Sequence, residues 1–410
     1  MRLLKIGVYY KTYLEQFYAR RPGLAAAPYA EQHAALIEDC FGSSDFWTGA
    51  LSKLGYETRD LVANAEPLQR AWAAGRGLAF DEGGWLFEIT TAQVKDFEPD
   101  VLLVADYSTV TAAYLRHLRE VCPSIKLVLG WCGAPYDDGS VFRECDVVLS
   151  CVPELVAHFR EAGHRSRHVN HAFEPRVLER LGPPTAHAAD FVFIGSVFKS
   201  DRFHVTRERL LKRLVEETGL QIWSAVASPS SRARGDEAAR VSRLSSPRAL
   251  AGFARRAARR LLGGGASAQS QAGVDARVVG RARPPLFGLE MFRQLRDGRV
   301  ALNTHIDIST HSASNMRLFE ATGVGTCLLT DSKENLRELF EPDAEVVAYG
   351  DAEECVEKVK YLLGHESRRR DIAAAGQRRT LRDHTFEPRA AVIDSVIREE
   401  LAARPERIPA

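Results

Sequence analysis

Three absences limit what this sequence can encode. Its seven cysteines are scattered along the chain without close paired spacing, so neither a zinc site nor a disulfide framework is indicated. No apolar run is long enough to span a bilayer, and the first residues, MRLLKIGVYY, are typical of a strand and not of a signal peptide. A formal net charge of +1 argues against a nucleic-acid binder that works through overall charge. We therefore expect a cytoplasmic protein with reduced thiols and no nucleic-acid partner.

The sequence does have the composition of an ordinary globular protein, with 45% apolar and 27% charged residues, and its 410 residues predict two or three domains. Short apolar runs alternate with amphipathic helical stretches, which indicates parallel strands joined by crossover helices. The predicted strands are LLKIGVYY (3–10), DVLLVAD (100–106), KLVLGW (126–131), DVVLSCV (146–152), FVFIGS (191–196), LQIWSAV (220–226), DARVVG (275–280), RVALNTH (299–305) and TCLLTD (326–331).

A segment rich in Pro, Ala and His, PRVLERLGPPTAHAAD (175–190), separates two sets of these strands. We therefore predict two doubly wound α/β domains, residues 1–185 and 186–385, followed by a helical segment at 386–410. Open parallel sheets bind ligands at the carboxyl ends of their strands, and two facing domains create a cleft. The residues that follow the predicted strands are therefore the candidates for function.

The first candidate site follows the strand FVFI. Gly195 and Ser196 form a small turn there, and Arg202 and Arg207 precede or open the next predicted helix. A glycine turn admits a close backbone approach, and a helix start with nearby arginine favours phosphate. A glycine that serves packing alone is the alternative.

The second candidate site is the polar loop and helix start THIDISTHSASNMRLFE (304–320). Ser312, Ser314 and Asn315 are plausible N-caps, and the loop offers backbone amides beside the positive end of the helix, which favours an anion. Glu320 lies beyond the position of a capping-box acid, so it could accept hydrogen bonds from the two hydroxyls of a ribose. The alternative is an ion pair with Arg317, three residues earlier.

The preceding strand ends in Asn303 and His305. We expect both to contact the ligand, because they stand at a strand end that faces the cleft. A structural histidine is the alternative for His305.

Several spaced elements of the second half resemble a known family. The runs ALNTHID, SNMRLFEATGVGTCLLTD, ENLRELF, EVVAYGDAEECVEKVKYLL and AAAGQRRTLRDHTFEPR resemble, in this order, the CgeB-like (spore-maturation-protein-like) branch of the group 1 glycosyltransferases. The resemblance covers most of residues 191–389. It implies the GT-B architecture, with two Rossmann-like domains facing a central cleft, and a nucleotide-diphosphate sugar as the donor substrate.

The resemblance also implies roles for individual residues. Glu320 would bind the donor ribose, and Gly195 and Ser196 would lie near the donor phosphates. Residues near Gly280 and Arg281, after the predicted strand 275–280, would face the nucleobase. The last helix, 386–410, would return across the cleft to the first domain.

The sequence departs from the family at Ser312. Many group 1 glycosyltransferases carry a second glutamate at that position, eight residues before the ribose-binding one, where it meets the sugar hydroxyls. Its role cannot be carried over to a serine, so the stereochemical outcome of transfer stays open.

Glycosyl transfer passes through an oxocarbenium-like state while negative charge grows on the departing diphosphate. Arg202, Arg207 and Arg317 are the candidates to stabilise that charge. No Asp-x-Asp element follows a predicted strand of the second domain, and Asp307 and Asp331 stand alone. We therefore predict that the protein works without a metal ion or other cofactor.

An inverting enzyme would also need a general base for the acceptor hydroxyl, drawn from the strand ends of the first domain. Asp106, Asp138 with its neighbour Asp137, and His171 are the available groups. The alternatives are a helix cap for Asp106, turn formation for the aspartate pair and a linker position for His171.

An insertion at residues 226–274 differs from its surroundings because it is polar and rich in arginine. Within it, 247–262 predicts an amphipathic helix with apolar residues on one face and arginines on the other. Such a helix could contact anionic lipid at the inner face of a membrane. The alternative is a small helix packed on the second domain with solvated arginines.

We therefore predict a cytoplasmic glycosyltransferase that acts on a cell-envelope, polysaccharide or secondary-metabolite acceptor, whether glycan, lipid-linked or small molecule. Two alternatives stay open: an epimerase or hydrolase of nucleotide sugars on the same scaffold, and a non-catalytic nucleotide- or membrane-binding module. The nucleobase, sugar, acceptor and linkage are not specified by the sequence.

Overall fold

The structure, a computed structural model, describes residues 1–136, 138–183, 189–197, 204–227 and 274–403. These residues form two six-stranded sheets in which every neighbouring pair of strands is parallel. Helices flank both sheets. The prediction of two doubly wound α/β sheets is confirmed.

The first sheet has the strand order β2-β1-β3-β4-β5-β6. Its strands are Arg2–Gly7 (β1), Glu57–Val62 (β2), Val101–Val104 (β3), Leu127–Trp131 (β4), Val147–Ser150 (β5) and Ser166–His168 (β6). The α-helices that accompany it are Lys11–Ala19, Tyr29–Glu38, Phe46–Ser52, Glu66–Gly75, Trp85–Phe97, Ala112–Val121 and Pro153–Glu161. The central strand β3, with the sequence VLLV, is buried along its whole length, because helices cover both faces of the sheet.

The second sheet has the order β12-β11-β10-β7-β8-β9. Its strands are Ala189–Ile194 (β7), Gln221–Trp223 (β8), Ala282–Arg283 (β9), Gly298–Asn303 (β10), Cys327–Asp331 (β11) and Val347–Tyr349 (β12). The α-helices from the linker onward are Arg176–Leu181, Val205–Glu217, Ala276–Arg281, Gly288–Arg296, Met316–Gly323, Leu336–Leu339, Ala352–Gly364, Glu366–Asp383 and Phe386–Ala402. Short 3-10 helices span Leu24–Ala26, Ser140–Glu144 and Ala225–Ala227.

One predicted strand is wrong. Residues 275–280 lie in a helix, Ala276–Arg281, and not in a strand. Asp275 stands at its N-cap, where the side chain accepts a hydrogen bond from the backbone N–H of Arg277 at 3.0 Å. Val278 is the buried side chain of this helix. The apolar run that suggested a strand therefore belongs to a short helix that packs through this one residue. The strand is the next element, β9, which pairs with Ile222 and Trp223.

Four strands are not predicted by the sequence pattern: β2, β6, β9 and β12. They are the four edge strands of the two sheets, and three of them have only two or three residues. The longer one, β2, has the sequence ETRDLV, whose exposed polar half does not resemble a buried strand. Edge strands need less apolar sequence than central ones because the sheet covers them on one side only.

The two sheets are joined by contacts from the last helix and from a segment just before the linker. Helix Phe386–Ala402 packs against helix Phe46–Ser52, with the Phe386 ring 4.8 Å, centroid to centroid, from Trp47. The Tyr56 hydroxyl donates to Asp394 at 2.7 Å. Two residues before the linker segment 175–190, the Phe173 ring lies so close to Gly323 that any Cβ at position 323 would clash with it. A glycine therefore allows this segment to approach helix Met316–Gly323.

Most of the insertion, residues 228–273, and with it the predicted basic helix 247–262, lies outside the described residues. In the part of the chain that the structure describes, no helix is both long enough and apolar enough to cross a membrane.

Candidate functional site

The candidate site lies at the carboxyl ends of β7, β10 and β11, around the polar loop 304–315. Asn303, the last residue of β10, connects three elements. Its Nδ2 donates to Thr330 Oγ1 of β11 at 2.9 Å, and its Oδ1 accepts from Asn315 Nδ2 at 2.7 Å. Asn315 is the N-cap residue of helix Met316–Gly323, but its side chain makes no capping bond because the amide is turned to Asn303. The buried Asn315 Oδ1 has no hydrogen-bond partner among the described residues.

His305 is held by a carboxylate at the end of β11. Its Nδ1 lies 2.7 Å from Asp331 Oδ1, and its backbone N–H donates to the same carboxylate at 3.2 Å. Burial opposes ionisation of Asp331, but His305 and Lys333 together lower the pKa of the carboxyl below its usual value. The second ring nitrogen of His305, Nε2, is buried and lacks a protein partner within the described ranges. The ring is therefore fixed on one side and open to hydrogen bonding on the other.

Arg207 connects the ends of β7 and β10. Its guanidinium donates to the carbonyl of Ser196 at 2.9 Å and to that of Thr304 at 2.7 Å, and its Nη1 lies 2.7 Å from His204 Nε2. Burial lowers the pKa of Arg207 to about 10, so the side chain stays charged at neutral pH. The structure thus holds a buried positive charge between two loops at the edge of the sheet. This is an environment that favours an anion.

The turn after β7 is shaped by its glycine. Gly195 donates its N–H to the carbonyl of Trp223 at 3.1 Å, and an added Cβ would lie 3.0 Å from the Phe193 ring. The next residue, Ser196, uses its carbonyl to accept from Arg207. Packing therefore accounts for the glycine, and the expected contact with donor phosphates stays a prediction.

Asp307 in the polar loop caps a neighbouring helix. Its carboxylate accepts from the backbone N–H groups of Val205 at 2.8 Å and Thr206 at 3.3 Å, at the start of helix Val205–Glu217. A carboxylate at this position satisfies the orphan donors of the helix start and complements its dipole. The first turn of that helix is therefore already occupied by a negative group of the chain itself.

Glu320 and Arg317 form the ion pair that the sequence offered as an alternative. Arg317 Nη1 lies 2.8 Å from Glu320 Oε2, and both side chains are largely buried. Arg317 also donates to the carbonyl of Ile194, at the end of β7, at 3.1 Å. The ribose contact of Glu320 stays a prediction.

The middle of the polar loop is attached to the first domain. The backbone N–H groups of His311 and Ser312 each donate to Glu154 Oε1 at 3.0 Å. Ile308 packs against the core of the first sheet, and the Ser314 hydroxyl lies 2.9 Å from that of Ser309. Sequence reasoning missed Glu154, although it stands in the first helical turn after β5, a position that the strand-end rule covers.

The three candidate bases of the first domain have separate surroundings. Asp106 accepts from the Ser108 hydroxyl at 2.6 Å and from the Thr109 N–H at 2.7 Å, so its carboxylate shapes a turn. Exposed Asp138 accepts from the N–H of Ser140 at 2.9 Å. The ring of His171 lies 5.3 Å from that of Trp131, and burial lowers the pKa of His171 to about 4. Their catalytic roles stay predictions.

Two of the expected site positions must be corrected. Gly280 and Arg281 were expected in a loop after a strand, but they are the last residues of helix Ala276–Arg281, which precedes β9. The expected nucleobase contact therefore loses its structural basis. Arg202 and Asp137 lie outside the described residues.

Metal binding is not indicated by the residues that the structure describes, since they contain no group of three or more His, Cys, Asp or Glu side chains placed to hold an ion. Metal independence itself stays a prediction.

Comparisons with known proteins agree on the architecture. Residues 243–395 match a family model described as glycosyl transferase-like. Sucrose-phosphate synthase from Thermosynechococcus elongatus superimposes with a TM-score of 0.51 at 12% identity, over 98% of this chain and 100% of the other. HepE of Anabaena, solved in complex with UDP-glucose, has a TM-score of 0.53 at 11% identity, over 97% and 100%. The fold is GT-B.

A glycosyltransferase from Rickettsia africae gives a further GT-B match, with a TM-score of 0.51 at 8% identity over 98% of this chain and 99% of the other. No curated protein matches the sequence. At these identities the structures establish the GT-B fold alone. Within it, the polar loop belongs to the second domain and Glu154 to the first.

Proposed function

We propose that the protein is a glycosyltransferase that moves a sugar from a nucleotide-diphosphate sugar to a cell-envelope, polysaccharide or secondary-metabolite acceptor. The observation that carries this proposal is the set of buried charged groups at the ends of β7 and β10, namely Arg207, Arg317 and Glu320. The glycosyl transferase-like match over residues 243–395 and the GT-B fold support it. Membership of the CgeB-like branch belongs to the same proposal.

The proposed roles follow from charge. Negative charge develops on the diphosphate as the glycosidic bond breaks, and fixed positive groups in a site with little water stabilise it. Arg207 supplies a buried positive charge whose direct hydrogen bonds go to neutral carbonyls, while the carboxylates of Asp331 and Asp307 lie near enough to interact with it. Arg317 would turn from Glu320 toward the phosphates when the ribose hydroxyls donate to that glutamate. The pair Arg317–Glu320 is then a resting arrangement that the donor replaces.

The acceptor side is proposed for the first domain. Tyr10 and Tyr13 lie with Phe41 and Phe287 in an aromatic cluster between the domains, with ring centroids 3.8 to 6.3 Å apart. Tyr10 is 66% exposed, and an exposed aromatic face of this kind suits the apolar face of a sugar ring. The cluster is therefore the proposed wall of the acceptor site.

The proposal is tested by thermal unfolding of the protein with UDP, GDP, dTDP, CMP or ADP. A ligand present at a hundred times its Kd stabilises the folded state by about 2.7 kcal/mol, which is measurable as a rise in Tm. We expect one nucleoside diphosphate to raise the Tm of the wild type. Glu320→Gln keeps the size of the side chain but removes its charge, so that rise should be largely lost.

Glu357→Gln is the matched control, because Glu357 is exposed on another helix of the same domain. Its response should equal that of the wild type. If no nucleotide raises the Tm of the wild type at millimolar concentration, the transferase proposal is wrong. If Glu320→Gln responds like the control, the donor site lies elsewhere.

A further inference from the structure

Glu154 crosses from one domain to the other. It belongs to helix Pro153–Glu161, which follows β5 of the first sheet. Its Oε1 accepts two hydrogen bonds from the polar loop of the second domain, from the N–H groups of His311 and Ser312, each at 3.0 Å. Ile308 of the same loop packs against the core of the first sheet. The polar loop, which the sequence predicts to bind an anion, is thus held by a carboxylate of the chain itself.

This contact decides which ligand group can lie next to it. A phosphate on the same two amides would bring a second negative charge against the Glu154 carboxylate, and like charges at such distances repel. The N–H groups of His311 and Ser312 are therefore poor sites for the diphosphate. The positive groups for that ligand, Arg207 and Arg317, are bonded instead to carbonyls of Ser196 and Ile194 at the end of β7.

The second oxygen of the Glu154 carboxylate indicates which kind of ligand group can bind beside it. Glu154 Oε2 is buried and has no hydrogen-bond partner among the described residues. A buried polar atom without a partner costs free energy, and an ionised carboxylate can only accept hydrogen bonds. The group that satisfies Oε2 must therefore be a donor. Sugar hydroxyls are neutral donors, whereas a phosphate at neutral pH is an acceptor.

We infer that Glu154 is a specificity-determining residue that accepts a hydrogen bond from a hydroxyl of the donor sugar. The inference rests on the proposed function and adds to it a residue from the opposite domain. One carboxylate then serves two purposes: Oε1 holds the polar loop, and Oε2 binds the sugar. Recognition of the sugar would accordingly require the two domains to be in contact, since neither domain alone contains both parts of this site.

Calorimetric binding of matched pairs tests this inference: UDP with UDP-glucose, GDP with GDP-mannose, dTDP with dTDP-glucose and ADP with ADP-glucose. For the pair that the wild type binds, Glu154→Ala should raise the Kd of the nucleotide sugar by about tenfold or more. This is the effect of losing a hydrogen bond to a charged group. The matching nucleoside diphosphate should bind as before or more tightly, because the two amides lose their carboxylate. The quantity to compare is the ratio of the two Kd values.

Glu154→Gln is the second variant, for the case in which the alanine variant unfolds. It keeps an acceptor oxygen for the two amides but removes the charge, so the ratio should shift in the same direction by a smaller amount. Glu161→Ala, an exposed position at the far end of the same helix, is the control and should leave the ratio unchanged.

A shift of the ratio in every Glu154 variant that folds supports the inference. Equal weakening of both members of the pair, or no change in either, overturns it and leaves Glu154 as a contact between domains only. If the wild type binds none of the nucleotides, the proposed function fails, and this inference fails with it.

Discussion

The strand ends of the two sheets differ in how they use polar residues. In the first sheet, Asp106 follows β3, and its carboxylate accepts hydrogen bonds from a hydroxyl and an N–H group of its own turn. In the second sheet, Arg207 and Glu320 come from helices and reach the ends of β7 and β10, where they are buried. The first arrangement satisfies the backbone of one loop, whereas the second concentrates charge between several elements.

We call the strand ends of the first sheet the first edge and those of the second sheet the second edge. The comparison distinguishes polar residues that stabilise a turn from polar residues that form a binding site. A polar group whose partners lie two or three residues away is explained by local folding alone. A buried charge whose partners lie on other elements costs desolvation, and such groups are concentrated at functional sites. Among the described residues, buried atoms without a hydrogen-bond partner occur at the strand ends of both sheets, at His305 Nε2 and Asn315 Oδ1 in the second and at Glu154 Oε2 in the first. The second edge is therefore the better candidate for the donor.

The largest effect is expected at Arg207. Arg207→Ala removes two hydrogen bonds from a charged donor to the carbonyls of Ser196 and Thr304, which should lower the free energy of unfolding by about 3 kcal/mol. It should also weaken nucleoside-diphosphate binding by at least about tenfold, because a fixed positive charge is lost. Urea unfolding and calorimetry measure the two effects.

The control for this substitution is Arg209→Ala, since Arg209 lies on the same helix but is exposed. Its stability should change by no more than about 0.5 kcal/mol. Should both variants bind the nucleotide as the wild type does, the buried charge at β7 is structural and the contrast between the two edges loses its functional meaning.

The next effect concerns pH and His204, which begins the helix that carries Arg207. Burial and, after it, the charge of Arg207 lower the pKa of His204 to about 3. The unfolded chain takes up this proton near pH 6.5 and the folded chain does not, so stability falls as the pH decreases from 6.5 toward 3. At pH 5 this residue alone should cost about 2 kcal/mol of folding free energy relative to pH 7.

Urea unfolding at pH 7 and pH 5 tests this prediction. His204→Gln should show a smaller loss on acidification than the wild type, whereas His117→Gln, at an exposed position of the first domain, serves as the matched control. An equal loss in His204→Gln and wild type would show that His204 is not kept neutral by its surroundings.

The smallest effect is expected at the first edge. Asp106→Asn keeps one acceptor oxygen for the turn, so the free energy of unfolding should fall by less than about 1 kcal/mol. Once an acceptor is known, kcat should fall by less than about tenfold, because the carboxylate is engaged with Ser108 and Thr109. A loss of a hundredfold or more, together with a changed pH profile of kcat, would identify Asp106 as the general base and reverse the comparison.

Sequence reasoning reached the polar loop but not its partners. The strand-end rule placed Asn303 and His305 at one edge because they stand at the end of an apolar run, and Ser312 joined them as a candidate N-cap in the polar loop that follows. Their hydrogen bonds to Thr330, Asp331 and Glu154 could not be predicted, since nothing local to either partner records the distance between elements. The error at residues 275–280 has a related cause: a short apolar run fits a strand or one face of a helix equally well.

The sequence by itself determined the two α/β sheets and the polar loop at the end of β10, because alternating apolar runs and strand-end residues are local properties of the chain. Only the tertiary structure decided that Glu154 meets an amide 158 positions away and that Arg207 joins two loops. Such pairings depend on the order of strands in a sheet and on how two sheets face each other, which no local pattern contains. The sequence shows which residues carry charge, and the fold determines which groups those residues contact.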